Sequence, residues 1–304
     1  MISLVCPVYN EEDNIDTLYA RTTSALENIS SDYEVICVDD GSSDQTLLKL
    51  LQYHEKNERF KAISFSRNFG HQPAILAGLS HAKGDYIAII DGDLQDPPEI
   101  LIDFYNKIRE GYDIVYAVRR KRKEGILKKS AYWLYYRILK TMSNIEIPLD
   151  SGDFSMMTRE ALDQILQIPE QSLFIRGLRS WVGFRQTGLE YERDERLHGA
   201  PKFTLRKLMM LAYNGLFSFS SIPIKLLSRL GLFMILFAVI YIIITLIKRY
   251  FFGDVPQGFI TTIIFITLFS GVQLMALGLL GEYMSRIYDE TRGRPLYIIR
   301  KKYL

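Results

Sequence analysis

Ile89-Ile90-Asp91-Gly92-Asp93-Leu94-Gln95-Asp96-Pro97-Pro98-Glu99 is the stretch that decides how this chain is read. The apolar run from Tyr86 to Ile90 has the length and composition of a buried strand. It ends in two carboxylates two positions apart, then an amide, then two prolines that stop any regular element. Carboxylates at the end of a buried strand are costly unless something positive lies between them. A hard divalent cation sharing phosphate oxygens meets that need. A solvated turn of Asp, Gly and Pro fits the same residues taken alone.

The flanking sequence favours the cation. Ile2 to Val8 reads as a first strand, and Glu11-Glu12-Asp13 opens a helix to about Ile29, with acids at its positive end. Tyr33 to Val38 is a second strand, ending in Asp39-Asp40-Gly41-Ser42-Ser43-Asp44, and a helix follows from about Gln45 to Asn57. Phe60 to Ser64 is a third strand, Asn68-Phe69-Gly70-His71 a loop, and Pro73 to about Ala82 a helix. Beyond the opening stretch come a helix from about Pro98 to Glu110 and a strand from Asp113 to Val118. This alternation predicts a mostly parallel sheet with helices on its faces. Ligands of such sheets bind beyond the carboxyl ends of the strands. The acidic clusters at Glu11, Asp39 and Asp91 all fall there. No Gly-x-Gly-x-x-Gly follows the first strand and no phosphate loop ending in Gly-Lys occurs, which disfavours a dinucleotide oxidoreductase or a P-loop NTPase.

The 304 residues carry a net charge of +2, with no tract suited to nucleic acid. Cys6 and Cys37 each lie in a predicted strand and read as small core residues in a reducing compartment. Met1 leads directly into a strand, so no cleavable signal peptide is expected. The last third differs in kind. Leu230 to Ile247 and Val255 to Gly281 are uncharged. At about 1.5 Å per residue each crosses a hydrocarbon core of about 30 Å. The short linker Lys248 to Gly258 makes the two a hairpin. Lys and Arg crowd its outer flanks, from Lys202 to Arg229 and from Arg286 to Lys302, against Lys248 and Arg249 in the linker. That asymmetry places the N-terminal domain and the C-terminal tail in the cytoplasm. Ile126 to Asn144 and Phe203 to Phe219 pair apolar, aromatic faces with basic ones and read as interfacial helices.

Three further stretches carry charge. Arg119-Arg120-Lys121-Arg122-Lys123 follows a strand end and suits a phosphate as well as it suits solvent. Asp150-Ser151-Gly152-Asp153-Phe154 reads as an acidic Gly turn. Arg196-Leu197-His198-Gly199-Ala200-Pro201-Lys202-Phe203 taken alone fits a plain surface loop better than a basic loop that closes over phosphates.

These motifs, in this order and over essentially the whole chain, resemble family 2 glycosyltransferases of the GT-A fold. The polyprenyl-phosphate branch fits best, the GtrB type and the dolichyl-phosphate mannose synthases. The carrying residues are Pro7-Val8-Tyr9-Asn10-Glu11, Asp39 to Asp44, Arg67-Asn68-Phe69-Gly70, Asp91 to Glu99, Gly152-Asp153-Phe154 and Arg196-x-x-Gly199-x-x-Lys202. The hairpin, Gly281-Glu282-Tyr283 and Arg294-Pro295-x-Tyr297 look closest to the GtrB type. The resemblance implies that Pro7, Tyr9, Glu11 and Asp39 line a base and ribose pocket with Asp40 beside them. It implies Asp91 at the nucleotide sugar, Asp93 and Gln95 with Asp91 around Mg²⁺ or Mn²⁺, and Asp153 near the reacting sugar. Arg119, Arg196 and Lys202 would face the acceptor phosphate and the donor diphosphate, the catalytic set being Asp91, Asp93, Asp153, Arg196 and Lys202. Pro201 and Phe203 depart from the Ser or Thr and the Tyr frequent in the family's basic loop.

The expected organisation is a GT-A catalytic domain over residues 1–202, a mixed, mostly parallel α/β sheet with flanking helices. A juxtamembrane helix over 203–226, membrane helices at about 229–250 and 258–281 within 227–283, and a cytoplasmic tail over 284–304 follow. The resemblance implies inverting transfer of a sugar, glucose from UDP-glucose first, to undecaprenyl phosphate at the bacterial cytoplasmic membrane. It also implies a homo-oligomer, a tetramer, and no nucleic-acid partner. GDP-mannose and UDP-amino sugars are the alternative donors. A processive synthase is disfavoured because Arg179-Ser180-Trp181 lacks the Gln-x-x-Arg-Trp spacing. An inactive nucleotide-sugar-binding scaffold is disfavoured by the intact acidic and basic positions.

Overall fold

The computed structural model describes residues 1–119, 151–170, 174–192, 222–252 and 258–304. The expected interfacial helices at 126–144 and 203–219, the basic run beyond Arg119, and Arg196 and Lys202 lie outside them.

The first half follows the predicted rhythm: β1 (Ile2–Val8), α1 (Ile15–Glu27), β2 (Tyr33–Asp39), α2 (Thr46–Lys56), β3 (Phe60–Phe65), α3 (His71–His81) and β4 (Tyr86–Ile89). A 3₁₀ turn at Pro98–Ile100 then leads into α4 (Leu101–Arg109), followed by β5 (Ile114–Arg119). Buried side chains that alternate between the two faces show why the strands form. Leu4 and Cys6 of β1 face one apolar cluster with Ile15, Leu18, Leu50 and Phe104. Val5 faces the other, with Ala74, Ile75 and Leu178. Both faces are therefore covered, as a parallel sheet requires. Fully burying Phe104 or Leu50 stabilises the fold by roughly 2 kcal/mol each. Cys6 and Cys37 sit opposite each other on β1 and β2, buried and without a disulfide, as core residues.

Three elements of the sheet have no counterpart in the sequence reading. β6 (Ser151–Thr158) and β7 (Gln186–Tyr191) follow β5 in the chain, with α5 (Arg159–Leu166) and α6 (Ile175–Trp181) between them. β8 (Ile299–Tyr303) is the chain's last element. The eight strands run in the order β7-β5-β6-β4-β1-β2-β3-β8. Only β6 and β8 run against the others. The segment read as an acidic Gly turn is thus a buried antiparallel strand between β4 and β5. Its reversed direction brings its first residues, Ser151 to Asp153, to the edge where the parallel strands end.

Pro7 shows the sheet's edge from within. Ile90 N donates to Val5 O, and Asp40 N donates to Val8 O, so odd residues of β1 face β4 and even ones face β2. The ladder with β4 ends at Val5, so the missing N–H of Pro7 falls where no strand asks for it.

The two long helices form a second compact unit. They are α7 (Ile222–Phe252) and α8 (Phe259–Arg292). Each contains a stretch long and apolar enough to cross a bilayer, and they meet through Tyr241 and Phe265, ring centroids 5.2 Å apart. Helix α8 continues 11 residues past the predicted end of the second span, from Gly281 to Arg292, and stops at Gly293 in the left-handed conformation. Residues 284–304 are therefore not a separate tail. The first part extends α8, and residues 294–304 belong to the unit that holds the sheet, where β8 pairs with β3.

Candidate active site

Asp91 follows β4 at the carboxyl edge, and the turn after it is built to hold its shape. Gly92 lies on β1, where an added Cβ would meet Val8 Cγ1 at 2.6 Å and Pro7 O at 3.1 Å. Leu94 adopts φ +54° with its side chain fully buried in the core. A left-handed branched residue costs on the order of 1 kcal/mol, and the burial of Leu94 offsets it. The turn then presents Asp93 and Gln95 partly exposed, with Gln95 N donating to Asp93 Oδ1 at 3.2 Å. Asp96 is buried and accepts from Tyr191 Oη of β7, to which Arg119 Nε donates at 3.4 Å. The turn is thereby tied to β5 and β7. Burial opposes charge on Arg119, but Asp96 and Tyr191 raise its pKa above the ordinary value.

Across from this turn, Asp153 is 4% exposed and surrounded by donors. Arg176 of α6 donates through Nε to Oδ1 at 2.8 Å and through Nη2 to Oδ2 at 3.1 Å. Gln72 Nε2 donates to Oδ2 at 3.2 Å, while its Oε1 accepts from Ile175 N at 2.9 Å. His71 Nε2 lies 3.4 Å from both Asp153 Oδ2 and Asp91 Oδ1. Burial pushes the Asp153 carboxyl up, but Arg176 and His71 hold it well below the usual range. Burial also lowers the His71 pKa, but Asp153 and Asp91 more than offset it and bring it to about 9. Burial, only partly relieved by His71, raises Asp91 to about 6.

Arg179, one turn beyond Arg176, is 1% exposed, lies over the Tyr116 ring at 4.8 Å and donates to Gly152 O at 3.4 Å. Burial lowers its pKa to about 10.

The loops after β1 and β2 interlock beside this cluster. Asn10 N donates to Ser42 Oγ at 2.9 Å, Ser43 N to Asn10 Oδ1 at 2.9 Å, and Glu11 N to Thr46 Oγ1 at 2.9 Å. Tyr9 is exposed at the same edge, and the Glu11 carboxylate accepts from Asn14 Nδ2 at 2.6 Å. Asp39 is buried, accepting from Ser42 N at 3.1 Å and Ser64 Oγ at 3.3 Å, and burial raises its pKa. Asp40 is different in kind. Its two oxygens accept from Phe69 N at 2.7 Å and Gly70 N at 2.9 Å. Both are engaged in holding the 66–70 loop, which places Asp40 behind that loop. The loop also fits tightly over Gly41, whose added Cβ would lie 2.5 Å from the Arg67 carbonyl carbon.

The sequence reading did not single out His71, Gln72, Arg176, Arg179, Asp96 or Tyr191. His71 and Gln72 open a helix at the carboxyl edge of a parallel sheet, a placement that topology alone flags. Arg176 and Tyr191 come from elements whose sequences carry no comparable cue.

The donors suit a divalent cation. Asp91 Oδ1 is buried without a hydrogen-bond partner among the described residues. Asp91, Asp93 and Gln95 offer hard oxygens of the kind Mg²⁺ and Mn²⁺ take. Among the described residues no three His, Cys, Asp or Glu side chains are grouped to hold an ion by themselves. Such a set accords with an ion completed by phosphate oxygens and water.

Comparison with known protein families agrees with this architecture. The family described as glycosyl transferase family 2 matches residues 3–166, and the GtrB C-terminal hairpin matches residues 222–287. The uncharacterised glycosyltransferase YkcC of Bacillus subtilis is 45% identical over 99% of this chain and 94% of its own length. A bactoprenol glucosyl transferase from the SfII prophage of Shigella flexneri is 39% identical over 99% and 98%. Among solved structures, a glucosyl-3-phosphoglycerate synthase from Mycobacterium tuberculosis aligns with a TM-score of 0.48 at 20% identity, covering 70% of this chain and 76% of that one.

Proposed function

This chain belongs to glycosyl transferase family 2 and carries a GtrB-type hairpin, and from that premise we propose that it transfers a hexose from a nucleoside diphosphate to a polyprenyl phosphate at the membrane surface. The donor put forward first is UDP-glucose and the acceptor undecaprenyl phosphate, with the catalytic unit on the cytoplasmic side. Relatives named bactoprenol glucosyl transferases, covered nearly end to end, support this reading. The observation that carries it is the meeting of Asp91 with the Asp153 cluster at one sheet edge, in a chain that also holds two membrane-length apolar helices.

In this reading the nucleotide lies along the interlocked loops, with Tyr9 exposed beside the base and Asp39 and Glu11 near base and ribose. Asp91, Asp93 and Gln95 would hold Mg²⁺ or Mn²⁺, which supplies charge stabilisation for the departing diphosphate. Asp91 and Asp153 face the sugar. The oxygens of Asp153 accept from Arg176 and Gln72. It therefore serves as a fixed anionic anchor for sugar hydroxyls rather than a proton acceptor. That suits a phosphate nucleophile, which is ionised near neutral pH and needs no strong base. An oxygen of the lipid phosphate bonds to C1 as the bond from C1 to the diphosphate oxygen breaks, and the nucleoside diphosphate leaves with the electron pair. Arg119, Arg196 and Lys202 provide the positive charge for the two phosphate groups. In-line displacement converts an α-linked donor into a β-linked product.

A panel of labelled nucleotide sugars, incubated with undecaprenyl phosphate and Mg²⁺ or Mn²⁺, tests the reading. Label from UDP-glucose entering the lipid phase as a β-linked phosphodiester is the expected result. No lipid-phase label from any donor, or an α-linked product, overturns it.

A further inference from the structure

We propose that Tyr297, in the segment that follows α8, is a positioning residue for His71 and so for the reacting end of the site. Tyr297 stacks on Phe65 with ring centroids 5.1 Å apart and planes 8° from parallel. Phe65 meets Phe69 edge-on at 5.7 Å, and the Arg67 guanidinium covers the Phe69 ring at 4.1 Å. The backbone joins the same contact, with Ser66 N donating to Ile298 O at 3.0 Å. The β3–β8 register shifts between Ser64 and Phe65, where the chain turns into this loop.

The 66–70 loop is thus held on separate sides. Asp40 takes the N–H groups of Phe69 and Gly70, Gly41 lies tight against Arg67, and the Tyr297–Phe65 stack supports the Phe69 ring. The next residue is His71, whose Nε2 sits 3.4 Å from the carboxylates of Asp91 and Asp153. After it comes Gln72, bonded to Asp153. Aromatic pairs of this geometry add about 1 kcal/mol beyond the area they bury. Without the stack, Phe69 loses its lateral support and the His71 ring is free to leave its place between the two carboxylates. A misplacement of about 1 Å in a reacting cluster costs up to about a hundredfold in rate.

The kinetic arm of the test rests on the proposed glycosyl transfer, and the spectroscopic arm does not. Full-length protein labelled with ¹³C-histidine carries four histidines, and His71→Gln assigns the His71 signal. Tyr297→Ala is expected to move that signal at fixed pH, and Tyr297→Phe, which keeps the stack, to leave it in place. Tyr297→Leu keeps apolar cover over Phe65 without a ring, guards against loss of folding, and is expected to move the signal by less. In transfer assays Tyr297→Ala should lower kcat about tenfold, with KM for the donor within about twofold. Most of that loss should vanish in a His71→Gln background, since coupled residues are not additive. An unmoved His71 signal in both the Ala and Leu variants, or full additivity with His71→Gln, overturns the proposal. Absence of transfer by the wild-type chain would overturn the glycosyl-transfer reading, while the His71 signal would still decide Tyr297.

Discussion

Arg176 grips Asp153 through two N–H···O bonds, Nε to Oδ1 at 2.8 Å and Nη2 to Oδ2 at 3.1 Å, and the carboxylate is buried while the guanidinium is partly exposed. Lysine cannot reproduce the fork. Removing one partner of a buried pair strands the other charge. Arg176→Met should therefore destabilise the catalytic unit by about 3 kcal/mol, and Arg176→Lys by less. Both should reduce kcat more than donor affinity. Denaturant melts with donor titrations check this, and a variant as stable and active as wild type would show that the pair is ornamental.

The Asp91 turn makes a sharper claim about the cation. Asp93 is partly exposed and bonds the turn locally at Gln95 N. Asp93→Ala should therefore change folding stability by at most about 1 kcal/mol and leave membrane insertion intact. Transfer should fall below detection, and EDTA should abolish wild-type transfer, with Mg²⁺ or Mn²⁺ restoring it. Unchanged turnover in Asp93→Ala would sink the assignment of this turn.

Asp39 and Asp40 are neighbours with separable duties. Asp40 is 3% exposed and spends both oxygens on backbone N–H groups of the 66–70 loop. Asp40→Asn offers an amide N–H where a carboxylate oxygen accepted, and should cost about 2 kcal/mol of stability. Asp39→Asn should instead weaken nucleotide binding at near-constant stability. Calorimetric titration with UDP on both variants separates the two outcomes, and equal losses of affinity would refute the division.

Glu34 gives the fold a pH dependence remote from the site. It is 3% exposed and accepts from Ser3 Oγ at 2.6 Å, Lys83 N at 2.7 Å and Lys61 Nζ at 2.8 Å. Burial disfavours its charge, but Lys61, Ser3 and Lys83 together lower its pKa. A depressed carboxyl binds fewer protons folded than unfolded, so its contribution is full above its unfolded value near 4.5. That contribution is lost as the pH falls through the folded value. Stability should decline below about pH 4.5, and Glu34→Gln should flatten that decline while lowering stability at pH 7. Parallel acid titrations of the two proteins would exclude Glu34 as its source.

Much of this was legible because β1 to β5 are apolar runs, with acidic turns after β1, β2 and β4, and the physics of buried parallel strands writes that pattern directly. Ser151-Gly152-Asp153 was misread because its composition is that of a turn. A buried strand tolerates Asp153 only where Arg176 meets it, and that pairing spans 23 residues. Ile299-Arg300-Lys301-Lys302-Tyr303 hid its strand behind three consecutive cations. An edge strand accommodates such charges and gains protection from unwanted pairing. His71 carried no pattern of its own, since its role comes from where α3 begins.

That edge strand yields the last prediction. β8 covers β3 along Ala62 to Phe65, opposing Tyr303 to Ile299, and its cations point out of the core. Deleting residues 299–304 leaves Tyr297 in place but exposes the N–H and C=O groups of β3 on that side. Each lost ladder bond costs about 1 kcal/mol, and at this chain length 1 kcal/mol moves Tm by about 2–4 °C. The truncated protein should melt several degrees lower and aggregate through the bare β3 edge, which carries Ile63 and Phe65. Replacing Arg300, Lys301 and Lys302 by Thr should retain the melting point, because the ladder survives, yet promote association, because the guarding charges are gone. Thermal melts with light scattering on both variants distinguish pairing from charge, and a truncation that melts like wild type would show that β8 is dispensable.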